Sequence, residues 1–294
     1  EATALAGLFI DRGPIVQLRE SRGQPQVLDD PNAGIVYDGP MAVLVDRYSA
    51  SASEIFAGAI QDYQRGPIIG QQTFGKGTVQ NLFSLDRVMR GKNNGQLTLT
   101  IGKFYRITGA STQHRGVIPD ITLPSIVDTK TVGESTNDTA LPWDTIQSTD
   151  FKPFQNLDGE IKVLQTDEQK RLKTNPDLEY LSADVAAVKK IRDEDEKGVS
   201  LNLAKRKAEQ TQVQDAQLKR ENARRAADGL KPLASIADLE KAEAPDEIQL
   251  DEAARLVAEM VADGNGNKRQ QLLSSGSPPT RIPSSPESSH TEAQ

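Results

Sequence analysis

The sequence has no cysteine among its 294 residues. That absence excludes disulfides, thiolate nucleophiles, Fe–S clusters and structural thiolate zinc sites. Histidine is almost missing as well, with only His114 and His290, and His290 falls in a Ser/Pro-rich tail. A three-histidine metal site is therefore impossible, and a Ser-His-Asp triad could be built only on His114. Aromatic residues make up 4% of the chain and hydrophobic residues 36%, which allows an adequate but lean core. No stretch approaches the ~20 apolar residues of a transmembrane helix. An excess of positive charge is lacking too: 35 Lys+Arg stand against 42 Asp+Glu, a net charge of -7. No global basic field draws this chain to nucleic acid. Its first residues, Glu1 to Ile10, lack an initiator Met and a basic leader, and read as a helix entered in mid-domain of a longer protein. The chemistry is left to Ser, Lys, Asp, Glu, Tyr and backbone groups.

What is present changes character near residue 125. Residues 1–125 carry 12 Lys+Arg and 11 Asp+Glu, which leaves 23 against 31 for the remainder. Nine of the 13 aromatics lie in the front part, and none follows Tyr180. The front reads as a mixed α/β core and the back as charged helices. Ala2 to Phe9 is a short apolar helix, and Ile15 to Arg19 alternates as a strand does. Met41 to Val45 is a continuous apolar run, expected to be a strand buried on both faces. Apolar residues at 55, 56, 59, 60 and 63 give a helix over Ser53 to Tyr63, and Pro67 to Gly70 is a short strand. Gln96 to Arg106 alternates again, with Leu97, Leu99, Ile101 and Tyr105 on one face. Strand, helix, strand is a crossover unit of a layered α/β fold. Residues 126–150 read as a polar linker with Pro142-Trp143 as its apolar anchor. Residues 151–264 read as helical, broken near Asn175-Pro176 and again before Leu201 and Pro245; residues 265–294 read as a disordered tail.

The chemistry concentrates in two segments: Val45-Asp-Arg-Tyr-Ser-Ala-Ser-Ala-Ser-Glu-Ile-Phe and Thr73-Phe-Gly-Lys-Gly-Thr-Val-Gln. The first leads a strand through a loop of small residues into a helix. A serine there has its hydroxyl beside the positive end of the helix and near free N–H groups, where an oxyanion is favoured. The plainer alternative is that one of Ser49, Ser51 and Ser53 caps the helix, with Glu54 as first-turn charge. Lys76 stands between Gly75 and Gly77, whose freedom lets the loop approach closely. A lysine on a turn is ordinarily solvated. The helix and the following strand, however, return the chain to the edge that carries the serines. A desolvated lysine gives up its proton more readily and can then take one from a serine hydroxyl. Elsewhere Tyr48 reads as core, Asp46 and Arg47 as a local pair, and His114 as a surface residue of a turn. The charged run from Lys205 to Arg225 reads as a solvated helix face.

The S-A-S-A-S-E segment followed by F-G-K-G-T-V-Q resembles the signature of the carboxy-terminal processing, or tail-specific, serine proteases. The resemblance covers roughly Glu1 to Leu123, and the Leu141-Pro-Trp-Asp segment with the helices behind it resembles the extension of the large periplasmic members. It implies a partial crotonase-like protease core, with Ser51 as nucleophile and Lys76 as general base. Gln80 would orient the lysine, Asp62 would contribute from the intervening helix, and the Ala52 N–H would help hold the oxyanion. It also implies protein substrates with apolar C-termini, an adaptor protein as an open possibility, no cofactor, and a bacterial periplasmic location, either soluble or associated with the inner membrane. The family's upstream PDZ domain and glycine-rich oxyanion loop are not in this stretch. Two other classes stay open beside it: a crotonase-like ligand-binding protein, and a helical interaction module that docks on a partner or covers the core.

Overall fold

A computed structural model describes residues 1–263 apart from positions 22, 31, 33 and 243–246. The expected tail at 265–294 lies outside the described residues. The front part holds two sheets. Strands β1 (Pro14–Glu20), β2 (Gln26–Asp29), β5 (Thr78–Ser84) and β6 (Gln96–Tyr105) form an antiparallel sheet in the order β2-β1-β6-β5. Strands β3 (Val43–Val45), β4 (Ile68–Gly70) and β7 (Ile121–Thr122) form a parallel sheet with β4 in the middle. Helix α1 (Ala2–Gly7) packs on α2 (Ala52–Asp62), which links β3 to β4 as the crossover.

Strand β4 organises the layers. Ile68 and Ile69 are both wholly buried, and consecutive strand residues point to opposite faces. Ile68 joins Ala6, Ile15, Ala57, Ile60 and Ile107 under α1 and α2. Ile69 joins Ile121 and Leu123 beneath Leu164, Leu256 and Met260. Those last three come from α3 (Asp158–Arg171) and α7 (Ile248–Asp263), so two helices of the charged region cover the far face of the core sheet. Two-faced burial thus belongs to β4 and not, as expected, to β3. Strand β3 is a sheet edge, and its Leu44 is exposed.

The break at Asn175 is a helix boundary: its side chain accepts the N–H groups of Asp177 and Leu178 and caps α4 (Pro176–Asp195). Helix α5 (Leu203–Ala227) follows, capped by Asn202, and then the short α6 (Ile236–Leu239). The polar stretch expected to be a linker lies along the core instead. Trp143 donates its indole N–H to the Ser111 carbonyl, and Asp144 pairs with Arg19 and Lys103. Among the described residues, no helix is long and apolar enough to cross a membrane.

Candidate active site

The strand β3 ends in a loop whose turn is built by one carboxylate. Asp46 accepts the N–H groups of Tyr48 and Ser49 and the Ser49 hydroxyl, at 2.8 to 3.0 Å. The Ser53 hydroxyl donates to the Ala50 carbonyl at 2.8 Å. Two of the three serine hydroxyls are therefore spent locally. Ser51 is the N-cap of α2, with φ 58° and ψ -110°. An L-residue in that region costs of order 1–3 kcal/mol and persists only where its surroundings enforce it. The same sharp strand-to-helix turn presents nucleophilic serines on other folds. Ala52 is the first residue of α2, so its N–H has no partner within the helix.

Glu54 enforces the strain. Its carboxylate is wholly buried and reaches back to the Ser51 N–H at 2.9 Å, as the glutamate of a capping box does. The same carboxylate accepts the Thr73 hydroxyl at 2.5 Å, the Gly75 N–H at 2.7 Å and the Lys76 N–H at 2.9 Å. Burial pushes the Glu54 carboxyl up, and the four donors pull it back down. Ser51 and Lys76 donate to the same oxygen, Oε2, so their backbones lie within two hydrogen-bond lengths of each other. The glycines flanking the lysine have a steric reason. A Cβ on Gly75, whose φ is +92°, would meet the His114 backbone at 2.8 Å, and one on Gly77 would meet the Gln113 nitrogen at 2.6 Å.

The half-buried Ser51 and Lys76 and the exposed Ala52 and Gln80 line one open cleft of about 450 Å³, with Leu82 and Phe104 as apolar walls. Cavities of about 470 Å³ beside Arg65 and Met260, and of about 600 Å³ between α4 and α5, lack this pair. Chemistry, not volume, selects the cleft.

Residues 1–123 match peptidase family S41, and residues 127–265 match the C-terminal domain of tail-specific protease. The chain is similar to an S41 peptidase core followed by that domain. The tail-specific protease of Haemophilus influenzae is 43% identical over 279 residues, which cover 92% of this chain and 39% of that protein. The carboxy-terminal-processing protease of Bartonella bacilliformis is 38% identical over 142 residues, covering 46% of this chain and 31% of its own. The solved photosystem II D1 C-terminal processing protease is 31% identical, with a TM-score of 0.38 over 46% of this chain and 34% of that one. The chain thus spans less than half the length of these relatives.

The other expected site residues fall in different places. Gln80 is exposed and shares the cleft, but its amide donates to the Thr100 hydroxyl at 3.4 Å. Asp62 is not brought to the pair. It ends α2, and ten residues of helix place it about 15 Å along the axis from Ala52. There it receives both ends of the Arg106 guanidinium, at 3.1 and 2.5 Å. Burial pushes its carboxyl up against the pull of Arg106.

Three further expectations are corrected. Tyr48 is exposed, because the Asp46 turn aims it outward. Asp46 and Arg47 do not pair; the buried Arg47 caps distant carbonyls, and burial lowers its pKa. His114 is half-buried: it takes φ 63°, donates its backbone N–H to the Gly75 carbonyl, and has a buried Nε2 without a hydrogen-bond partner. Sequence reasoning missed the reach of Glu54, whose only local signal is the S-x-x-E capping box. It also missed Thr73, Gln113 and Arg47, whose partners are remote in sequence.

Proposed function

We propose that this chain carries the catalytic pair of a serine endopeptidase that processes proteins at their C-terminal tails. The observation that supports it is the meeting of a strained Ser51 and the Lys76 loop on one buried carboxylate, facing one cleft. Ser51 Oγ attacks the scissile carbonyl while its proton passes to the neutral Lys76 amine. The oxyanion accepts the Ala52 N–H at the positive end of α2. The tetrahedral adduct collapses, the C–N bond breaks, and Lys76 returns the proton to the leaving amine. A water deprotonated by Lys76 then hydrolyses the ester on Ser51. Gln80, on the same cleft, steers the lysine, and Asp62 braces the far end of α2 through Arg106. The apolar walls at Ile55, Leu82 and Phe104 suit apolar side chains next to the cut, which favours proteins with apolar tails as substrates. The relatives named for tail-specific and carboxy-terminal processing agree with a choice of substrate by its tail. A periplasmic location belongs to the same reading, and fractionation of the tagged full-length protein checks it.

The test replaces Ser51 by Ala and Lys76 by Ala or Arg in the full-length protein. All three variants are expected to bind an apolar-tailed peptide and to lose cleavage of a tailed reporter. Arginine keeps the charge but cannot act as a base near neutral pH. Retained cleavage in Lys76→Arg would remove the proposed base, and retained cleavage in Ser51→Ala would move the nucleophile to Ser49 or Ser53. A wild type that binds the peptide and never cuts it would leave the ligand-binding reading standing.

A further inference from the structure

Arg47 is 1% exposed and gives its whole guanidinium to backbone carbonyls. Nε donates to Val132 at 2.6 Å, Nη2 to Thr129 at 3.1 Å, and Nη1 to Thr73. Two of these carbonyls belong to the segment just past residue 127, where the tail-specific C-terminal domain begins; the third opens the Lys76 loop. A second tie runs beside the first, from the Glu134 N–H to the Phe74 carbonyl at 3.0 Å. A third passes through the wholly buried Gln113. Its Oε1 accepts the Gly77 N–H at 2.9 Å while its amide donates to the Glu134 carboxylate at 3.1 Å. Thus Thr73, Phe74 and Gly77, on both sides of Lys76, are each bonded to residues 129–134 directly or through one side chain. Gly133, with φ +127°, leaves the space the Arg47 guanidinium fills; a Cβ there would land on it.

The segment is anchored in turn by the helical extension. Arg192 on α4 pairs with Asp128 at 2.6 Å and donates to the Ile126 carbonyl at 3.3 Å. Asp128 organises the turn: its carboxylate accepts the Lys130 N–H, and its carbonyl accepts those of Thr131 and Val132. Gln71 donates to the Val127 carbonyl at 2.6 Å.

We propose that residues 127–134 form a strap that sets the position of the Lys76 loop, with Arg47 as its positioning residue and the Arg192–Asp128 pair as its outer anchor. The proposal rests on Lys76 being the base, and it gives the C-terminal domain a part in catalysis. Arg47 touches no reacting atom. It fixes where the peptide groups on either side of the lysine sit, and small displacements of a catalytic group cost rate more than they cost binding.

The experiment uses the full-length protein and two readouts: kcat and KM on a tailed reporter, and hydrogen exchange of the amides at 73–77. Arg192→Gln and Asp128→Asn remove a partly exposed ion pair and leave α4 folded. Each is expected to speed exchange at 73–77 and to lower kcat by about threefold with KM unchanged, the scale of one partly exposed pair. Arg192→Lys is expected to restore part of both. Arg47→Lys keeps the charge but cannot span three carbonyls, and is expected to lower kcat by about 30-fold or more. Where that variant loses its cooperative melt, Arg192→Gln decides in its place. Unchanged exchange at 73–77 in both outer variants would overturn the strap. Faster exchange with unchanged kcat would overturn its catalytic part. If Lys76→Arg keeps cleaving, the base assignment falls while the exchange result still judges the strap.

Discussion

Two buried carboxylates, one in each half of the molecule, do opposite jobs. Glu54 in the core is surrounded by neutral donors, three N–H groups and a hydroxyl. Glu252 in the extension, 3% exposed, sits among charges: Arg171 at 2.6 Å, Arg255 at 3.6 Å, and Glu168 and Glu259 on the same Arg171 guanidinium. The core uses its carboxylate to fix backbone, and backbone geometry is what the proposed nucleophile and base need. The extension uses charge to hold side chains together where apolar surface is scarce. Helix α4 buries only Leu178 and α5 only Glu221. The first arrangement is insensitive to salt; the second depends on salt and pH.

The comparison breaks most readily at Glu54. Alanine there strands four donors, and a buried donor left unmet costs about 1–3 kcal/mol. Set against a total stability of about 5–15 kcal/mol, Glu54→Ala is expected to melt far below wild type and to lose cleavage altogether. Glu54→Gln keeps the shape and one acceptor oxygen and should fall between the two. Thermal melts followed by circular dichroism decide it. A Glu54→Ala protein that melts like wild type would show that the loop holds itself.

Next in size is Asp62, a core carboxylate that pairs with charge as the extension does. Its side chain is 5% exposed, and Asp62→Ala leaves the half-buried Arg106 without its partner. Breaking such a pair costs about 3–5 kcal/mol. Because the pair lies at the far end of α2, the folded fraction should keep the wild-type pH dependence of cleavage. A changed profile in folded Asp62→Ala would bring this residue back to the chemistry.

The two motifs of the candidate site were legible because each is local. The Ser51 turn and the glycine-flanked Lys76 are each written within a dozen residues, and the α/β crossover between them follows from periodicity. What holds them was not legible. Arg47 meets Val132 85 residues away, and Gln113 meets Gly77 36 residues away. No pattern within a window records such contacts. Strand β5 escaped because both its faces are half open, so Thr78 to Ser84 shows no polar alternation. Residues 126–150 read as a linker because their anchors are backbone carbonyls, Trp143 and Asp144, and carbonyls leave no mark on composition.

The smallest effect tests the extension's side of the comparison by pH. Burial first, and then Glu168, push the Glu252 carboxyl up to about 7 against the pull of Arg171. Such a group holds a proton in the folded state that the unfolded chain releases near 4.5. Its contribution is therefore intact below that value and is lost as pH rises through about 7. Glu168 Oε1 is buried with no donor, so a protonated neighbour is the form that suits the pair. Glutamine at 252 supplies that form permanently: its oxygen can accept from Arg171 while its amide can donate to Glu168. Glu252→Gln is expected to raise the melting temperature by about 2–4 °C at pH 8, on the scale of 1 kcal/mol in a chain of this size. At pH 4.5 the two proteins should melt together. A variant that is less stable than wild type at pH 8 would mean that the ionised Glu252 holds α7 against α3 through Arg171, and that the extension tolerates its crowded charge as well as the core tolerates Glu54.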